Sequence, residues 1–175
     1  MADSLPLKRP RFFTGQLLTA ADLELEQQYH REQAKLHNRS LHGFGIVCGL
    51  KVSVDAGQIL VEPGLALDCE GNEIVVNTTQ SISPAAIKAD SQTTYVNLRY
   101  AEQNTDPVST GANETSTIVE SFELTFETEN RNRGHRHQRA RWLACGQPHA
   151  LTIAKLKRSP QGWRVERGYR PPVVK

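Results

Sequence analysis

A chain of 175 residues, 38% hydrophobic and 23% charged, can bury one core without disulfides or metal and lies outside the range of disordered sequences. Its net charge of +2 creates no strong global field, so any electrostatic recognition has to be local. No stretch approaches the roughly 20 apolar residues of a membrane span, and the basic residues near the N-terminus lack the apolar run of a secretory signal. The expectation is a protein made and assembled in the cytoplasm, in contact with membranes only through a partner. Cys48, Cys69 and Cys145 are far apart and never in C-x-x-C spacing, which predicts buried reduced thiols.

Residues 1–18 read as an extended arm, polar at first, then placing Phe12, Phe13, Leu17 and Leu18 around Gly15. A helix is predicted over 19–42. The Thr19 hydroxyl can cap the first turn, Asp22 complements the helix dipole, and no Gly or Pro follows until Gly43. Its apolar residues form a narrow seam, Leu18, Leu25, Tyr29 and Leu36. Packing of this seam on the domain's own sheet is expected, with a copy of the chain or a partner as the other occupants.

Residues 43–175 are expected to form a β domain. Gly43, Gly45 and Gly49 mark bulges or close backbone approach at its entrance. Leu50, Val52 and Val54 then alternate with polar residues, and turns at Ala56-Gly57, Pro63-Gly64 and Glu70-Gly71-Asn72 separate short apolar runs. Ser83 to Gln92 reads as a connector with room for one helical turn. Thr94–Tyr100 and Thr117–Thr128 read as strands, and a last hairpin turns over Ser159-Pro160-Gln161-Gly162. Long loops are expected over 102–116 and 129–148. The predicted fold is mainly β (α+β): a compact antiparallel β-sandwich or barrel-like domain preceded by an arm and one long helix.

Chemistry-bearing patterns are sparse. His30 and His37 share a helix face but sit about 10 Å apart along the axis, too far to ligate one metal, and no cysteine pair adds ligands. Asp68 and Glu70 belong to turn chemistry, and Glu24, Glu26 and Glu32 to an exposed helix side. No nucleophile motif, phosphate loop or dinucleotide fingerprint is present, so neither catalysis nor a cofactor is expected. The strongest local charge feature is the tract of Arg131, Arg133, Arg136, Arg139 and Arg141 with His135 and His137. Guanidinium groups there suit an acidic protein neighbour or an anion. Without interleaved aromatics or a recognition module, nucleic acid is the weaker reading.

Two blocks carry a resemblance. Phe12-Phe13-Thr14-Gly15-Gln16-Leu17-Leu18-Thr19-Ala20-Ala21-Asp22-Leu23 is one; Arg39-Ser40-Leu41-His42-Gly43-Phe44-Gly45-Ile46-Val47-Cys48-Gly49-Leu50-Lys51-Val52 is the other. Together with Val61-Glu62-Pro63-Gly64-Leu65-Ala66-Leu67-Asp68 and weaker blocks as far as Glu127, they resemble baseplate-associated structural proteins of phage tails and contractile injection systems. The resemblance implies a non-enzymatic fibre-attachment or adaptor module, present in several copies and docking on baseplate, sheath, tube or fibre proteins. No shaft or receptor-binding tip is expected to follow Lys175, an expectation that favours the adaptor over a carbohydrate- or receptor-binding tail-fibre module. An adaptor that binds an anionic or membrane surface through the arginine tract is the remaining alternative. Candidate docking residues are Phe12, Phe13, Leu17, Leu18, Leu25, Tyr29 and Leu36.

Overall fold

The computed structural model describes residues 7–107, 115–132 and 150–174. After α1 (Ala20–His37) and a π turn (Asn38–His42), the chain forms β1 (Gly45–Gly49), β2 (Val52–Asp55), β3 (Gln58–Val61), β4 (Gly64–Leu67), β5 (Glu73–Val76) and β6 (Gln80–Ile82). A single 3-10 turn (Pro84–Ala86) leads into β7 (Thr93–Pro107), β8 (Thr115–Glu127), β9 (Leu151–Ser159) and β10 (Gly162–Val165). The architecture is mainly β, as expected, with three antiparallel sheets ordered β1-β4-β5, β2-β3-β6 and β10-β9-β7-β8.

The first two sheets share one bent hairpin. β1 and β2 run outward, β3 and β4 return, and the ladder continues through the bend, where Leu50 N–H donates to Pro63 O at 3.2 Å and Glu62 N–H to Lys51 O at 2.9 Å. Gly49 sits at φ 64°, and a Cβ there would lie 2.1 Å from Pro63 O, so only glycine allows the two strands to cross so closely. Leu50 follows at φ 55°, a left-handed conformation unusual for leucine, held by near-complete burial of its side chain. The glycine cluster thus marks both a close approach and, between Ile46 and Cys48, a bulge.

All three sheets feed one aliphatic core. Val52, Ile59 and Val61 meet Ala66, Ile74 and Val76, and these meet Val96, Leu98, Leu151, Ile153 and Leu156. Alternation along β3, β5 and β7 puts these side chains on one face, which is what the period-two pattern predicts. In β9 a register shift at Ile153 lets Leu151 and Leu156 both reach the core despite their opposite parity. The hairpin over 159–162 forms as read, with Gly162 opposite Ser159.

Two expectations fail, that of a loop over the whole of 102–116 and that of buried thiols throughout. The loop expected over 102–116 is strand as far as Pro107 and again from Thr115, because β7 and β8 stay paired from Tyr95↔Glu127 out to Pro107↔Thr115. A backbone ladder does not need apolar side chains, so the polar run Glu102–Asp106 hid it. Of the loop expected over 129–148, residues 129–132 fold back on β9, where Asn132 Nδ2 donates to Thr152 O at 2.8 Å; the remainder lies outside the described residues. Cys69 is buried but Cys48 is exposed, since β1 shows that position to solvent; Cys145 lies outside the described residues.

Candidate docking surface

The arm makes one turn before the helix: Gln16 N–H donates to Phe13 O at 3.2 Å, and Gly15 takes φ 84°. This turn leaves Phe12, Phe13, Leu17 and Leu18 in solvent, Phe13 at 68% and Leu17 at 86% exposure. Thr19 then caps α1 with both halves of a capping box. Asp22 N–H donates to Thr19 Oγ1 at 3.3 Å, and Thr19 N–H donates to Asp22 Oδ2 at 2.9 Å. Donation from the Thr19 hydroxyl, and then from its amide, holds the Asp22 carboxyl below its ordinary range. His30 is paired with Glu26 at 3.0 Å, one turn away, and not with His37.

No residue of α1 is buried, which overturns the expectation that its seam packs on the domain's own sheet. The reason lies in which face meets the body. Arg31 reaches Glu102 at 3.6 Å, the Lys35 carbonyl abuts Gly71, and Asn38 hydrogen-bonds the β4–β5 turn. Those positions, spaced i, i+4 and i+7, form a polar stripe. At 3.6 residues per turn, the seam through Leu18, Leu25, Tyr29 and Leu36 is rotated by about 140° from it, so the apolar side faces away. Leu18 and Leu25 are exposed, while Tyr29 and Leu36 are half-buried.

The helix is nevertheless firmly rooted. Asp68 organises the β4–β5 turn by accepting the amides of Glu70 and Asn72, each at 2.9 Å, and Asn72 Nδ2 at 2.7 Å. Against this turn, buried Asn38 donates Nδ2 to Gly71 O at 3.0 Å and to Glu73 Oε1 at 3.1 Å, and Arg39 donates to Glu70 O at 3.2 Å. A Cβ on Gly71 would fall 2.2 Å from Lys35 O, so a glycine is required where helix and turn meet. Sequence reading found the turn and the cap. It missed Asn38, which carries no local signal because its partners are 33 and 35 residues away.

Of the arginine tract, Arg131 lies among the described residues. Arg131 is tied to its own loop at the surface: its guanidinium pairs with Glu127 and lies 3.9 Å from Glu129, and the hydrogen bond and charge of Glu127 raise its pKa. Two carboxylates of its own loop thus flank this guanidinium. Arg133, Arg136, Arg139 and Arg141 lie outside the described residues. Among the described residues no three His, Cys, Asp or Glu side chains converge as a metal site would need.

No protein-family model matches the chain, and no curated protein does. Solved structures do. A chain of the TssK-TssF-TssG baseplate subcomplex of a type VI secretion system aligns over 95% of this protein with TM-score 0.55 and 14% identity. A chain of a type VI secretion baseplate complex aligns over 97% with TM-score 0.58 and 13% identity, and a crystal structure of TssK over 95% with TM-score 0.56 and 14% identity. This protein spans 62%, 42% and 44% of those chains, so it shares the fold of a part of each.

Proposed function

We propose that this protein is a non-enzymatic structural component of a phage-tail-like contractile injection system, a baseplate-associated adaptor that docks through its arm and helix. The observation that carries this reading is α1 itself: eighteen residues rooted on the body by a buried asparagine, with no residue buried and an apolar seam turned outward. A soluble domain gains nothing from presenting Phe12, Phe13, Leu17, Leu18 and Leu25 to water, and such side chains become anchors when a partner desolvates them. The fold likeness to parts of type VI secretion baseplate proteins supports the same assignment. Neighbouring baseplate, sheath, tube or fibre proteins are the proposed partners.

Deletion of residues 1–18 tests it. The remaining chain is expected to keep the circular dichroism and cooperative melting of a folded β domain, yet to drop out of particles purified from cells. Normal incorporation of the truncated protein would overturn the proposal. Turnover of a cell-wall or ester substrate by the intact protein would overturn its non-enzymatic part.

A further inference from the structure

β9 pairs with β7 only over Thr93–Leu98, whereas β8 follows β7 as far as Pro107. Beyond Ala101 the sheet is therefore a projecting two-stranded ribbon. Its outer edge, on β8, has no partner strand among the described residues. From Thr115 to Val119 it is uncharged, and Ile118 and Val119 are 55% and 45% exposed. Natural sheets blunt such edges with charge, proline or a bulge, and an unblunted one is a template for strand addition.

At the base of the ribbon, Glu102 and Glu120 stand directly opposite each other across the strands, a like-charge pairing that is unfavourable on its own. Together with Glu73 they line a recess of about 200 Å³ beneath Arg31 and Lys35. Arg31 is directed at Glu102, and among the described residues Glu120 has no cation within ion-pair distance. The Tyr100 hydroxyl beside them donates to Glu102 at 2.9 Å, and burial together with this carboxylate and Glu120 raises its pKa. The edge thus combines a hydrophobic strip with unbalanced negative charge.

The arm has the complementary pattern. Lys8, Arg9 and Arg11 are exposed, form no ion pair among the described residues, and precede Phe12 and Phe13 in a segment without regular structure. In an extended strand Arg11 and Phe13 share one face, two residues apart, as Glu120 and Ile118 do on β8. Laid antiparallel with Arg11 opposite Glu120, Phe13 covers Ile118, and Phe12 faces Val119 on the other side. Pro10 is acceptable in an added edge strand, where only alternate residues donate to the neighbour.

We propose that the projecting edge of β8 binds residues 8–13 of a second copy of this chain as an added strand. This deepens the docking reading by giving the basic-aromatic part of the arm its own partner, and leaves the seam from Leu17 to Leu36 for other proteins of the particle.

Light scattering coupled to size-exclusion chromatography, over a range of concentrations of the intact protein, tests it. Concentration-dependent self-association is expected. Arm reversal (K8E/R9E/R11E) and edge charging (Val119→Lys) should each weaken it more than about tenfold, with melting unchanged for the arm variant. Mixing the arm-reversed chain with Glu102→Lys/Glu120→Lys chain should restore association between the two. A monomeric wild-type protein, or association indifferent to arm reversal, overturns the inference. A monomer that still enters particles sinks this inference alone, whereas a self-associating chain excluded from particles sinks only the docking reading.

Discussion

Ile59, Ile74 and Leu98 in the β body are fully buried, whereas Phe13, Leu17 and Leu18 in the arm stand in solvent, although both sets have the same kind of side chain. In the body, strand alternation directs Ile59, Val61, Ile74, Val76, Val96 and Leu98 to a shared interior where three sheets meet, and leaves Val47 and Val75 on the outer face. Along the arm and helix, polar Arg31, Lys35 and Asn38 meet the body and the apolar residues point away. An apolar residue in this chain therefore has one of two roles, stability or recognition, and its place relative to the core decides which. Substitutions should separate the two.

The largest effect is expected inside the body. Ile59→Ala should lower unfolding stability by about 2–5 kcal/mol in a denaturant titration, through lost burial and a cavity. Leu17→Ala, of similar chemistry but exposed, should stay within about 0.5 kcal/mol of wild type while reducing incorporation into particles. Equal destabilisation by both would erase the distinction. The root of the helix comes next: Gly71→Ala must displace Lys35 O, a local overpacking that should cost about 1–3 kcal/mol and lower amide-exchange protection in α1 before the sheets lose theirs.

Removal of the cap acts on the helix alone. Thr19→Ala should weaken α1 by about 0.5–2 kcal/mol, read as faster exchange of the amides of its first turn with the core amides unchanged. The smallest effect is the acid dependence of the same cap. Asp22 has a folded-state pKa below its unfolded value, so its contribution is present above the ordinary carboxylate range and is lost as pH falls through the lowered folded pKa. Loosening of the first helical turn at acid pH, absent in Asp22→Asn, is the expected signature in pH-resolved exchange. An identical pH profile in the variant would show that Asp22 does not act through its charge.

Much of the body could be read from the chain because its rules are local. Ala56-Gly57, Glu70-Gly71-Asn72 and Ser159–Gly162 are turns for conformational reasons that need no knowledge of distant partners, and Thr19 caps for the same reason. The candidate surface was half legible. The exposed aromatics and leucines could be named from the arm and the seam, but the direction in which they point could not. The ribbon was missed because Glu102–Asp106 has no apolar alternation, so its pairing with Thr115–Glu120 depends on backbone hydrogen bonds that sequence patterning does not encode. Arg131 looked like part of a free basic tract until Glu127, four residues earlier, was found beside it.

The sequence by itself determined where the helix begins, which residues turn the chain, and which side chains need cover from water, since these follow from local conformational preference and period. Only the tertiary structure decided what covers them. The bend at Gly49–Leu50 splits one hairpin between two sheets, and Asn38 fixes the helix with its polar stripe inward. Periodicity defines a face but not its partner; the choice of partner depends on contacts between residues far apart in the chain. Here those contacts seal the β body and leave the arm, the seam and the β8 edge open.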